Sequence, residues 1–87
     1  MTQVFTGSRI SPVDRIYARA ISVAVRRRDE EAAIREFVTL AGGDPHSLGR
    51  ARGMLEALLN ERPEAEHLRY GLALLTTAWI RSIESST

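Results

Sequence analysis

Residues 63–84 place the strongest constraint on the fold of this chain. Apolar side chains recur there every three or four residues, the spacing of an amphipathic helix with one buried face. A second apolar group lies on the same helix, well away from the first. A helix with two apolar sides can be covered from two directions, so we predict that it is the central one. The first group is Ala65, Leu68, Leu72, Leu75, Trp79 and Ile83, and the second is Tyr70, Leu74 and Ala78 beside Gly71.

Helix start and stop signals divide the rest of the chain. Ser11-Pro12 and Asp44-Pro45 each combine an N-cap residue with a proline that fits the first helical turn. Gly42-Gly43 supplies a C-terminal stop before the second of these starts. No segment shows the period-two alternation of a strand. We therefore predict an all-α fold, a small bundle of about four amphipathic helices, with residues 1–10 as a flexible lead and residues 11–87 as a single domain.

Residues 12–41 are open to two interpretations. An acidic run, Asp29 to Glu31, directly follows Arg28 and is typical of a helix N-terminus, which favours a break near Arg28. A single helix is the alternative, because the apolar register continues through this charged patch. The predicted core faces are Val13, Ile16, Tyr17, Ala20, Ile21 and Ala24, then Ile34, Phe37, Val38 and Ala41, then Leu48, Ala51, Leu55, Leu58 and Leu59.

Composition excludes several classes of protein. The 87 residues are 44% hydrophobic with few prolines, which argues against intrinsic disorder. The absence of cysteine excludes disulfides and thiolate chemistry, and no apolar run is long enough to span a bilayer. We interpret the chain as cytoplasmic. Because so small a domain has little stability to spare, we expect it to associate with a partner or with a second copy of itself.

Residues that carry chemistry are sparse. His46 and His67 begin different helices, and neither has a serine or a paired acid at the spacing of a nucleophile and its base. Glu64 and His67 share the Glu-x-x-His spacing of di-iron bundles, but the further ligands that such a site needs would have to come from a homodimer. Gly42-Gly43 lacks the lysine and hydroxyl pattern of a phosphate loop. We therefore predict no enzymatic activity, no metal and no cofactor.

A helix-turn-helix-like DNA-binding regulator is the alternative function. Three arginines form a stripe opposite the core face of the first helix, and residues 37–59 can be interpreted as helix, turn and recognition helix. The net charge of only +1 is low for a protein that binds phosphates. The candidate nucleic-acid-binding residues are Arg15, Arg19 and Arg26 on the stripe, and Arg50 and Arg52 on the recognition helix.

Surplus helix faces favour a protein–protein interaction or dimerisation module. Gly49, Gly53 and Ala57 recur every four residues on the side of the third helix that faces away from its core. Small residues at this spacing allow two helices to approach closely. Tyr70 and Leu74 add apolar surface beyond what one bundle needs, although both faces could instead be internal. We predict a non-enzymatic module whose partner is a second copy or a helical protein.

Overall fold

The computed structural model describes residues 11–26 and 29–86. Four helices run through them: α1 at Pro12–Arg26, α2 at Glu30–Leu40, α3 at Pro45–Glu61 and α4 at Glu66–Ser86. These described residues contain no strand, so the predicted all-α bundle is confirmed. The predicted flexible lead at residues 1–10 lies outside the part of the chain that the structure describes.

Side-chain caps begin the first three helices. The hydroxyl of Ser11 and the carboxylate of Asp29 each accept a hydrogen bond from the backbone N–H three residues later, at 3.2 and 3.1 Å. The carboxylate of Asp44 accepts a hydrogen bond from the backbone N–H two residues later, at 3.0 Å. Because α1 ends at Arg26 and α2 starts after the Asp29 cap, the prediction of two helices is confirmed over that of one. Arg28, where the break was predicted, is itself outside the described residues.

Two glycines separate α2 from α3. Gly42 and Gly43 have φ values of +63° and +78°, in the left-handed region that a Cβ disfavours. The N–H of Gly43 donates to the carbonyl of Val38 at 3.0 Å, which closes the end of α2. The carbonyl of Gly43 accepts a hydrogen bond from the buried Ser82 hydroxyl at 3.1 Å. The turn is therefore held both by α2 and by α4.

The core draws on all four helices, and α4 is at its centre. Fully buried side chains come from each helix: Ile16 of α1, Phe37 of α2, Leu48 and Leu55 of α3, and Leu75 of α4. Helix α4 packs against α1, α2 and α3, as predicted for the helix with two apolar sides. Its start differs from the prediction, because the residues from position 63 to 65 form a turn and the helix begins at Glu66.

The two apolar groups predicted on α4 are the edges of one broad buried face. Leu75 comes from one group and Ala78 from the other, and both are fully buried. Small side chains occupy the middle of this face, including Ser82, which is 4% exposed. Ile83, expected on the buried face, is 39% exposed, so that part of the prediction is wrong. The reason is that Ile83 lies at the outer edge of a face whose centre is rotated away from it.

Gly71 brings α1 and α4 into close contact. A Cβ placed on Gly71 would lie 2.9 Å from the carbonyl oxygen of Ala20 and 3.1 Å from the Cβ of Ala24. Both alanines are buried. Since 2.9 Å is below any normal contact distance for a methyl group, only glycine fits at this position. The sequence indicates Gly71 only as a neighbour of the second apolar group, without showing what covers it.

Candidate interaction surface

The side of α3 that faces away from the core is exposed at most of its positions. Leu48, Ala51 and Leu55 turn toward the other helices, which leaves the opposite side of the same helix in solvent. We define the outer face of α3 by the exposed residues His46, Arg50, Gly53, Glu56, Ala57 and Asn60.

Gly53 is one of the exposed residues of the outer face of α3. A Cβ placed there would have no atom of the described residues 11–26 and 29–86 within 4 Å, apart from the neighbouring backbone of its own helix. Ala57, one turn further on, is also exposed. These two residues of the predicted small-residue strip therefore form a smooth, uncovered surface.

Gly49, the third member of that strip, is explained by packing within the chain. A Cβ on Gly49 would lie 3.1 Å from Nε1 of Trp79 in α4. The indole ring therefore covers Gly49 from one side, and the residue is half-buried. The strip predicted from the sequence is thus divided between an internal contact at its start and an open surface at its centre.

Arg52 fastens α3 to α4 beside this contact. Its Nε donates a hydrogen bond to Oγ1 of Thr76 at 2.9 Å, and its guanidinium carbon lies 5.4 Å from the centroid of the Trp79 ring. A 3.9 Å ion pair with Glu56 is long and weak by comparison. Arg52 was a candidate for binding nucleic acid, and the structure shows that its head group is already engaged.

Tyr70 and Leu74 are not part of the outer face of α3. Leu74 is 6% exposed and belongs to the core cluster. Tyr70 is half-buried, and its hydroxyl donates a 2.8 Å hydrogen bond to Oε2 of Glu30 in α2. Of the five candidate interface residues, the structure therefore brings only Gly53 and Ala57 together on an open surface.

The arginine stripe of α1 is partly neutralised by α2. Nε of Arg19 lies 2.9 Å from Oε1 of Glu36, and both side chains are 39% exposed. Arg15 and Arg26, on the same stripe, are exposed, as is Arg50 on α3. The predicted nucleic-acid residues therefore comprise two engaged arginines and three solvent-facing ones.

A bidentate ion pair joins α2 to α4 on the surface. Nη1 and Nη2 of Arg81 donate to the two carboxylate oxygens of Glu31, each at 2.8 Å. These hydrogen bonds lower the pKa of Glu31 below its ordinary value and raise that of Arg81. No local sequence pattern indicates this pair, because its members are 50 residues apart.

An open apolar groove adjoins the outer face of α3. It lies between α1 and α3, has a volume of about 360 Å³, and is lined by Tyr17, Met54, Ala57, Leu58 and Glu61. A second pocket of about 470 Å³ continues from Leu58 toward the start of α4 and includes Glu64 and His67. Met54 is 38% exposed at the boundary between groove and face. The outer face of α3 therefore has apolar as well as small surface along one side.

Within residues 11–26 and 29–86, no group of three or more His, Cys, Asp or Glu side chains could hold a metal ion, and Glu64 and His67 only line the pocket. None of the helices described is long and apolar enough to cross a bilayer.

Comparisons of the chain with protein family models, with curated proteins and with solved structures find no match.

Proposed function

We propose that this protein is a small non-enzymatic interaction module that packs the outer face of α3 against a helix, either of a second copy or of a helical protein partner. The observation that carries the proposal is Gly53, a mid-helix glycine whose Cβ position has no atom of the described residues within 4 Å, apart from the neighbouring backbone of its own helix. A cytoplasmic location, expected from the cysteine-free sequence, is part of the same proposal.

Gly53 differs from the other two glycines that lie inside the described helices, Gly49 and Gly71. A glycine in a helix interior costs about 1 kcal/mol relative to alanine, so each one is expected to have a packing reason. The backbone of α1 packs against Gly71, and the Trp79 ring packs against Gly49. Gly53 has no such neighbour within the described chain. A helix from outside, packed close to the bare backbone, would supply the missing reason.

The first test is the mass in solution, measured by light scattering over a range of protein concentrations. We expect the wild-type mass to rise above the monomer value of 9.7 kDa. Gly53→Leu places a large side chain at the contact and should return the mass to that of the monomer while circular dichroism stays helical. Ala73→Leu makes a similar enlargement at an exposed position of α4 and should leave the mass unchanged.

Two outcomes would count against the proposal. If Gly53→Leu leaves an assembled protein assembled, the outer face of α3 is not the contact. If Gly53→Leu unfolds the chain, its space is needed for internal packing, contrary to the open surroundings observed.

The exposed guanidinium groups of Arg15, Arg26 and Arg50 favour one alternative, a DNA-binding regulator. Duplex DNA is therefore added in the same light-scattering measurement at low salt. We expect no complex, because the net charge is +1 and two of the five candidate arginines are engaged within the bundle. A complex that weakens steeply with salt, and that is lost when Arg15, Arg19 and Arg26 are replaced by glutamine, would replace the proposal.

A further inference from the structure

We infer that the open groove between α1 and α3 is a binding site for a basic amphipathic helix of another protein. The two pockets described above share Leu58, and together we call them the α1–α3 groove. This groove lies beside the outer face of α3 and has one residue in common with it, Ala57. The inference therefore goes beyond the proposed function and names a second contact.

Apolar side chains form both walls of the α1–α3 groove. Tyr17 and Ile21 lie on the α1 side, and Met54 and Leu58 lie on the α3 side. Val25 follows Ile21 one turn later along α1 and is 70% exposed. From Tyr17 to Val25 the helix rises about 12 Å, so the groove has room for roughly two turns of an incoming helix.

Helix α2 shows how this bundle holds a helix against two others. Helices α1 and α4 pack against each other, and α2 packs against both, with Phe37 fully buried. At the edge toward α1, Glu36 pairs with Arg19 at 2.9 Å. At the edge toward α4, Glu31 pairs with Arg81 at 2.8 Å. Apolar side chains thus occupy the centre of the contact, and opposite charges meet along both edges.

The α1–α3 groove has a similar apolar centre, but carboxylates predominate at its edges. Glu61 and Glu64 line it, and neither forms an ion pair with another described residue. Asp14, one turn before Tyr17 on the same side of α1, is exposed and has no ion pair within the described residues either. Arg62 is the one lining side chain with a permanent positive charge. Lysine or arginine along the edges of an incoming helix therefore complements this groove, as the glutamates of α2 complement Arg19 and Arg81.

A folded second copy does not supply such a helix. The four described helices each turn their main apolar side into their own core, where Ile16, Phe37, Leu55 and Leu75 are fully buried. A helix that places apolar side chains in the groove at intervals of three and four residues therefore comes from another protein.

Two synthetic helical peptides of equal length test this chemistry. Both carry leucine along one side, but one has lysine and the other glutamate along the edges. We expect the lysine peptide to bind roughly tenfold more tightly, as measured by the fluorescence anisotropy of the labelled peptide. Glu61→Gln combined with Glu64→Gln should remove this preference, because it removes the two lining carboxylates.

A second variant tests whether the peptide lies in the groove. Met54→Gln removes an apolar wall without a change of charge and should weaken binding of the lysine peptide several-fold, while circular dichroism stays helical. Ile80→Gln and Glu84→Gln make the matching changes at exposed positions of α4 and should have little effect.

Several results would overturn the inference. Equal binding of the two peptides would show that the groove does not select a basic helix. A failure of both peptides to bind would show that it holds no helix of this kind. A lysine preference that survives the combined replacement of Glu61 and Glu64, or binding that is unchanged by Met54→Gln, would place the peptide elsewhere on the surface.

Gly53→Leu separates this inference from the proposed function. It should return a self-associated protein to monomer but leave peptide binding unchanged, so either expectation can fail alone. Loss of peptide binding in Gly53→Leu would move the helix to the outer face of α3 and overturn the groove as its site. A wild-type mass that falls with Met54→Gln but not with Gly53→Leu would assign the groove to a second copy instead.

Discussion

Gly71 and Gly53 both lie in the interior of a helix, but the space at their missing side chains differs: it is occupied at Gly71 and open at Gly53. Gly71 lies under α1, where the Ala20 carbonyl oxygen occupies the space of a Cβ at 2.9 Å. Gly53 lies on α3, and outside the neighbouring backbone of its own helix the described part of the chain has no atom within 4 Å of that position. The same residue therefore supports a backbone contact inside the bundle in one helix and leaves a bare surface in the other.

The comparison shows that the role of a mid-helix glycine depends on what stands opposite it. Along α1, buried alanines at positions 20 and 24 continue the close contact with Gly71, so that small residues on both helices bring the two backbones together. Along α3, the small residues Gly53 and Ala57 have no counterpart within the described chain. A second copy of α3 would supply one.

Truncation of the core should have the largest effect. Leu75 is fully buried on α4. Its replacement by alanine should lower the free energy of unfolding by about 2–5 kcal/mol. An average domain of this length has only roughly 4–13 kcal/mol in total. Met54→Ala, at the open edge of the outer face of α3, should cost much less in the monomer. Urea unfolding checks both, and a larger loss for Met54 would contradict the assignment of closed and open regions.

Replacement of each glycine by alanine should give opposite signs. Gly71→Ala forces a methyl group against the backbone of α1 and should destabilise the fold by about 1–3 kcal/mol. Gly53→Ala adds a methyl group in open space and should stabilise α3 by about 0.5–1 kcal/mol through helix propensity. Thermal unfolding of the monomer at low protein concentration measures both changes. Equal shifts in the same direction would remove the distinction between the two sites.

Loss of the surface ion pair should have the smallest effect. Because Arg81 lowers the folded-state pKa of Glu31, this pair stabilises the fold above the ordinary pKa of 4.5, and the contribution is lost as pH falls through the lowered value. Glu31→Gln should therefore lower the urea midpoint slightly at pH 7 and not at all in strong acid. Glu64→Gln, in the exposed turn before α4, is the control. A large effect at pH 7 would show that exposed charges matter more here than close packing.

Much of the fold follows from local signals. The caps at Ser11, Asp29 and Asp44 and the stop at Gly42-Gly43 act within a few residues of the chain, so the sequence locates the helix boundaries they control. Apolar periodicity identifies the core side of α1, α2 and α3 for the same reason. On α4 it predicts two faces and the central position, but it includes Ile83, which is exposed.

The candidate site could be predicted only in part. The sequence identifies Gly53 and Ala57, because their spacing places them opposite the core side of their own helix. It also groups them with Leu74, which the tertiary structure buries, because periodicity reveals that a face is apolar but not which neighbour covers it.

The sequence by itself indicated a bundle of about four helices, most of their ends and the inward side of three of them, since those properties depend on neighbours in the chain. Only the structure decided that residues 12–41 form two helices and not one. Only the tertiary structure decided which of the helical glycines has another part of the chain packed against the position of its missing side chain. The contacts that settle this join Ala20 to Gly71 and Gly49 to Trp79, residues far apart in sequence. They arise from the way whole helices pack together, and no local pattern specifies that packing.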